Sequence, residues 1–157
     1  MRPGFTVQRF TDAGRLDELH RFVQGAFRDL PIDAPSSSLK ETPADFAKRL
    51  QSDAIFVATD AGQLIGSIFC TPEDDALYVG RLAVAPAFRR RGIANALMEA
   101  AKGEARRRGA RRITLGARIA LPGNVALFRH HGFVIVRETC HPGFTTPTSY
   151  DMELALA

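Results

Sequence analysis

The stretch "ALYVGRLAVAPAFRRRGIANALMEAAKGEARRRG", residues 76–109, constrains the fold more than any other. An apolar, β-leaning run ends at Pro86, which has no N–H to give a strand ladder. A short turn with three arginines follows, and at Gly92 the pattern changes from strand to helix. Ile93, Ala94, Leu97, Met98, Ala101 and Ala105 fall on one stripe, while Asn95, Glu99, Lys102 and Arg106 face away. Gly109 suits a stop after about Arg108. Strand, turn and amphipathic helix in succession call for a sheet with a helix packed on its face.

The placement of charge raises a chemical question. The first N–H groups of a helix have no internal partner, and the helix dipole is positive there. Arg89, Arg90 and Arg91 therefore oppose the dipole, unless an anion sits among them. A pyrophosphate can accept bonds from those N–H groups. Gly92 leaves room for its close approach, small Ala94 helps, and the arginines match its charge. The competing reading is a solvated basic turn. No Walker A loop is present, which argues against ATP hydrolysis. A second cluster, "ARRRGARR" at 105–112, lies at the C-terminal end of the same helix, where cations suit the dipole. Nucleic-acid binding is its alternative, but aromatic interleaving, zinc-finger spacing and an RNA-recognition signature are all missing.

Composition bounds the rest. A chain of 157 residues is long enough for one domain with a core, expected to span 1–157. The net charge of +4 leans toward anionic partners. Cys70 and Cys140 are at no metal-ligand spacing and make no disulfide framework, so free thiols and no metal are expected. The N-terminus carries no apolar signal core, and no run approaches the roughly 20 apolar residues of a membrane span. The expectation is a cytoplasmic protein with no membrane partner.

The remaining segments read as follows. "FTVQRF" alternates as a strand. Leu16, Leu19, Val23 and Phe27 mark a helix with Thr11 or Asp12 as its cap. Residues 30–42 form a Pro- and Ser-rich loop. "TPADFAKRL" opens a helix with Thr42 as cap, Pro43 at its first position and Asp45 completing a capping box. "AIFVATDAGQLIGSIFC" is a hairpin about "DAG". "RRITLGAR" is a strand, "PGNVALFRHHG" a short helix capped by Asn124 and closed by Gly132, and "FVIVRE" and "SYDMELAL" are strands. The predicted order is β-α-α-β-β-β-α-β-α-β-β, an α/β mixed sheet with helices on its faces.

In this order, the chain resembles the GNAT superfamily of acetyl-CoA-dependent N-acetyltransferases. "LAVAPAFRRRGIANALM" is similar to the family's motif A, with Arg89, Gly92 and Ala94 at its defining positions. "NVALFRHHGF" is similar to motif B, with its alanine at 126. The resemblance implies an acyl-CoA N-acyltransferase-like fold, mainly antiparallel, splayed as a V between the strands at 76–85 and 111–118. Acetyl-CoA would lie in the gap. Backbone groups of Leu82, Ala83 and Val84 would pair with its pantetheine arm. Arg89, Arg90, Arg91, Gly92, Ile93 and Ala94 would cradle the pyrophosphate, with Asn124 and Phe128 at the thiol end.

The implied reaction is acetyl transfer to an amine on a small molecule or a protein. A lysine-like amine must lose a proton before attack, and the departing thiolate benefits from a proton donor. Many members use a motif B tyrosine as donor. This chain has Phe128, which cannot donate. His131, one turn on, and Tyr78, on the face of its strand expected to carry Leu82, are the candidates in its place. No base stands on the strand before motif A. The acidic turn Glu73, Asp74, Asp75 reads as solvated, and His141 lies in a loop expected to wall the acceptor site. Acceptor specificity is expected in the first two helices, the 30–42 loop and the 140–149 segment. Rival readings are a non-catalytic CoA-binding module of the same fold and a basic nucleic-acid-binding protein. A monomer and a homodimer both fit.

Overall fold

The computed structural model describes residues 4–156. Its strands are β1 (Thr6–Arg9), β2 (Ala54–Asp60), β3 (Gln63–Glu73), β4 (Ala76–Val84), β5 (Arg112–Arg118), β6 (Val134–Thr139) and β7 (Ser149–Ala155). Its α-helices are α1 (Leu16–Arg28), α2 (Pro43–Ser52), α3 (Ile93–Arg107) and α4 (Pro122–His130). The expected order of elements is the observed one. All seven strands join one sheet in the order β1-β2-β3-β4-β5-β7-β6.

The sheet is antiparallel except at its centre. There β4 and β5 run parallel and pair only at Ala76–Arg112, Leu77–Ile113 and Tyr78–Thr114. Beyond Tyr78 the two strands separate, giving the expected V. One face of the sheet packs on α3, burying Ile65, Ile68, Leu97, Met98, Ile113 and Met152. The other packs on α1 and α2, burying Leu19, Val23, Phe46, Ile55 and Phe69.

Local chemistry explains most of the elements. Thr42 and Asp45 form the capping box: the Asp45 N–H donates to Thr42 Oγ1 at 3.2 Å, and the Thr42 N–H donates to Asp45 Oδ2 at 2.8 Å. The hairpin turn places Ala61 and Gly62 at φ 50° and 83°, as a two-residue hairpin turn with the right twist demands. Three sequence expectations need correction. Asp12 caps a single 3₁₀ turn, Ala13–Arg15, ahead of α1 rather than α1 itself. The 30–42 loop contains another such turn, Ser37–Lys40, with Ser36 as cap. Asn124 is not a cap: α4 begins at Pro122, whose fixed φ starts the helix early, so Asn124 lies within its first turn.

A bulge in β4 produces a further correction. Phe69 pairs with Gly80 and Ser67 with Ala83, so a two-residue step on β3 matches a three-residue step on β4. Arg81, at φ 52°, takes up the extra residue. The bulge shifts the alternation. Tyr78 therefore shares a face with Gly80 and Ala83, on the side of α1 and α2, while Leu82 shares the α3 side with Val79 and Val84.

Helix α3 sits close to the sheet because Gly66 offers no side chain. A Cβ there would meet Ile93 Cγ2 at 3.0 Å, Leu97 Cδ1 at 3.1 Å and Ala58 Cβ at 3.2 Å. At the other end of α3, the buried Glu104 accepts from Arg107 Nη2 at 2.6 Å and from Arg108 Nε, with Arg9 Nη1 at 3.9 Å. Burial works to raise the Glu104 pKa, but the bonds and charges of Arg107 and Arg108 outweigh it and hold the carboxyl below its ordinary value.

Gly66→Val is expected to destabilise the fold by about 1–3 kcal/mol in urea unfolding, through overpacking. Gly103→Ala, in open space on α3, is expected to stabilise by up to about 1 kcal/mol. A carboxyl whose folded pKa is lowered contributes stability above its unfolded value and loses it as pH falls through the folded one. Glu104→Gln should therefore cost about 1–3 kcal/mol at neutral pH. It should also flatten the stability decline of the parent below the ordinary carboxyl value of 4.5, read from urea midpoints across pH.

Candidate active site

Where β4 and β5 part, a cavity of about 910 Å³ opens. Leu82, Ala83 and Val84 form its β4 wall, and Leu115, Gly116, Ala117 and Arg118 its β5 wall. Among the described residues, no strand pairs with β4 on the β5 side beyond Tyr78. Backbone N–H and C=O groups on that edge need an outside partner, and an extended ligand can supply one.

The turn after β4 ends the cavity with positive charge. Arg89 and Ala94 line it. Gly92 is the N-cap residue of α3 at φ 82°, a left-handed conformation that favours glycine. This is a backbone requirement in addition to the close approach inferred from sequence. No side chain caps α3, and its first turn holds no acid. The contrast with α2, which caps itself, is informative: the N–H groups of Ile93, Ala94 and Asn95 are left for an external acceptor.

The predicted site residues divide. Leu82, Ala83, Val84, Arg89, Ala94, Asn124, Phe128 and Tyr78 all border the cavity. Arg90, Arg91 and Gly92 are exposed in the turn between the lining residues Arg89 and Ala94 and do not themselves line the cavity. Arg90 is bent to φ 63°, and the Arg91 guanidinium lies 5.1 Å over the Phe88 ring. Ile93 points its side chain into the core, 2% exposed, so only its backbone can serve a ligand. The structure does not bring His131 to the cavity. It closes α4, and its Nε2 hydrogen-bonds Asn95 Oδ1 at 2.8 Å. Burial, then the Lys102 charge, lowers its pKa.

Tyr78 sits at the apex of the V. Its hydroxyl lies 3.7 Å from where a Cβ on Gly116 would be. Burial raises its pKa, so the phenol keeps its proton at neutral pH. Phe128 is buried against Phe133, ring centroids 6.2 Å apart, as an apolar wall.

Sequence reasoning missed other cavity residues, namely Lys40, Arg81 and Arg118, because nothing in the local patterns of segments 37–40, β4 and β5 shows that they meet. His141 lies on the loop expected to wall the acceptor site. It borders the cavity, and burial, followed by the Arg118 charge, holds it below the ordinary imidazole value.

The second basic cluster is committed internally. Arg107 and Arg108 pair with Glu104, and Arg112 bonds Glu153 at 3.0 Å and faces Asp75 at 3.5 Å. These pairings remove much of the charge a nucleic-acid surface would need. Cys70 and Cys140 are free thiols, and burial pushes Cys70 up to about 12, which leaves it inert. Among the described residues, no cluster of three or more His, Cys, Asp or Glu is placed to hold a metal. No described helix is long and apolar enough to cross a membrane.

Comparison with known proteins bears on the same features. The family model described as "Acetyltransferase (GNAT) family" matches residues 17–133. No curated protein matches the sequence. Solved structures share the fold at low identity. A GNAT-family acetyltransferase from Streptococcus pneumoniae superposes with a TM-score of 0.82 at 16% identity, covering 98% of this chain and 99% of that one. PaiA N-acetyltransferase from Thermoplasma acidophilum, solved with coenzyme A, gives 0.78 at 13%, over 97% and 99%. Ribosomal-protein-alanine N-acetyltransferase from Brucella melitensis gives 0.76 at 17%, over 96% and 99%. The family match spans the strand, turn and helix that end the cavity, and by it the chain belongs to the GNAT family, as an acetyl-CoA-dependent N-acetyltransferase.

Proposed function

We propose that acetyl-CoA lies in the gap between β4 and β5 and that the acetyl group passes to an amine entering from the side of α1 and α2. One observation carries this reading: the unpaired β4 edge leads directly to an uncapped helix start rich in arginine. Leu82, Ala83 and Val84 would pair with the pantetheine arm as an added strand. The N–H groups of Ile93 and Ala94 and the Arg89 guanidinium would hold the pyrophosphate, with Gly92 shaping the turn and Arg90 and Arg91 adding charge within it. Asn124 and Phe128 would flank the thiol end. Bound there, acetyl-CoA supplies the acyl group as a thioester activated for transfer. The single sheet to which all described strands belong supports reading residues 1–157 as one domain.

Proton handling falls to the chain's own side chains. Tyr78 keeps its proton at neutral pH and stands at the apex of the gap, so we assign it the donor role that Phe128 cannot fill. His131, turned to Asn95 and outside the cavity lining, is left out of this assignment. The acceptor is an amine of a small molecule or a protein.

Thermal unfolding tests the site. Acetyl-CoA at a hundredfold excess over its dissociation constant should add about 2.7 kcal/mol of stability. An Arg89→Glu, Arg90→Glu variant, altered only at exposed positions, should fold and lose that shift. No shift in the parent would overturn the placement. Tyr78→Phe should keep the shift while kcat falls about 10²–10⁴-fold, the usual range for a general acid. A Tyr78→Phe enzyme with full kcat would remove the donor role.

A further inference from the structure

The half of the cavity away from α3 is walled by the end of α1, by the 30–40 segment and by the loop after β6. Its charge is one-sided. Among the described residues, no aspartate or glutamate lines the cavity, whereas Lys40, Arg81, Arg89 and Arg118 do. Arg89 belongs to the proposed pyrophosphate end. Arg81 is matched by Glu41, whose Oε1 accepts from its Nε at 2.8 Å.

Arg118 differs from both. It makes no ion pair among the described residues. Two backbone carbonyls hold it instead: Nη1 donates to Ala34 O at 2.5 Å and Nη2 to Pro35 O at 3.3 Å. These bonds tie the end of β5 to the loop across the cavity and aim the guanidinium. Among the described residues, its other N–H groups have no partner. The side chain is half-buried, and a cation withdrawn from water without a counter-charge is unfavourable until an anion joins it. A planar fork held in this way suits a carboxylate, which it can bind through two parallel bonds. Phe27, Leu30 and Ile32 supply an apolar wall beside it.

We propose that the acceptor is a small amine that also carries a carboxylate, an amino acid with an apolar side chain, and that Arg118 binds the carboxylate. This rests on acetyl-CoA filling the other half of the gap as proposed above. A polyamine or a lysine-rich peptide would meet the unmatched Lys40 and Arg118 in this half, where no Asp or Glu among the described residues lines the cavity to receive it.

The test is a CoA-release assay with the full chain. The acceptors are the apolar amino acids, their amides, the matching decarboxylated amines, phosphoethanolamine and spermidine. At least one amino acid should exceed its amide and its decarboxylated amine in kcat/KM by about 10- to 100-fold, the range of a charge-assisted pair of bonds. Spermidine should be among the poorest. Arg118→Gln should collapse that ratio mainly through KM, and Arg118→Lys should retain part of it. An acetyl-CoA thermal shift in each variant shows that it is folded with the other half of the gap intact.

The proposal is overturned if no amino acid turns over better than its amide, or if spermidine or phosphoethanolamine is preferred. It is equally overturned if Arg118→Gln shows the thermal shift and keeps the parent's ratio. Loss of the acetyl-CoA shift in the parent itself would instead bring down the placement of acetyl-CoA on which the proposal rests.

Discussion

The short parallel contact between β4 and β5 is the constraint on which the rest of the structure depends. Three rungs hold the two halves of the sheet together, and the pairing then stops while both strands continue. A sheet interior does not leave ladder groups without partners at no cost. The gap therefore leaves backbone groups in want of a partner, and each neighbouring feature keeps it open or finishes it. The Arg81 bulge redirects β4 just beyond the last rung. Gly66 lets α3 settle against the sheet, which sets where the uncapped start of that helix falls. Glu104 and its arginines secure the opposite end of α3.

The bulge is coupled to the segment between α1 and α2 through one ionic network. Arg81 reaches Glu41, at the end of the segment between α1 and α2. Glu41 also receives Arg49 at 3.1 Å, and Arg49 Nε donates to Asp53 Oδ2 at 2.9 Å. Thr71, on β3, donates to the same Asp53 oxygen at 3.0 Å. Buried members of such a network stabilise by being fully satisfied, and the loss of one leaves others exposed to the desolvation cost. The strand proposed to meet acetyl-CoA and the segment proposed to face the acceptor are thus held by shared charges. Arg118 makes a second tie, from β5 to the same segment.

Much of this architecture is legible in the sequence. The order of elements, the hairpin at Ala61–Gly62 and the capping box at Thr42 follow from short-range rules, because each depends on residues within a turn of one another. The position of the V also followed, through the family resemblance of residues 82–98. Three local readings failed where one signal outran another. Asn124 looked like a cap, but Pro122 started α4 first. Asp12 capped a preliminary turn instead of α1. The two-residue period placed Tyr78 with Leu82, and the bulge separated them. A bulge at a non-glycine residue leaves no mark in the local pattern, since its cause is the register with β3.

The sequence by itself determined the class of protein, the strand-turn-helix that ends the cavity and the uncapped, arginine-rich start of α3, because these are encoded by contiguous residues. The tertiary structure decided what no local pattern holds. It buried Ile93 against Gly66, turned His131 to Asn95 and moved Tyr78 to the apex of the gap. It also gathered Lys40, Arg118 and His141 from three separate segments around one cavity. The physical reason is distance along the chain. Arg118 is held by carbonyls 84 and 83 residues away, and only a folded sheet brings such groups within a hydrogen bond of one another.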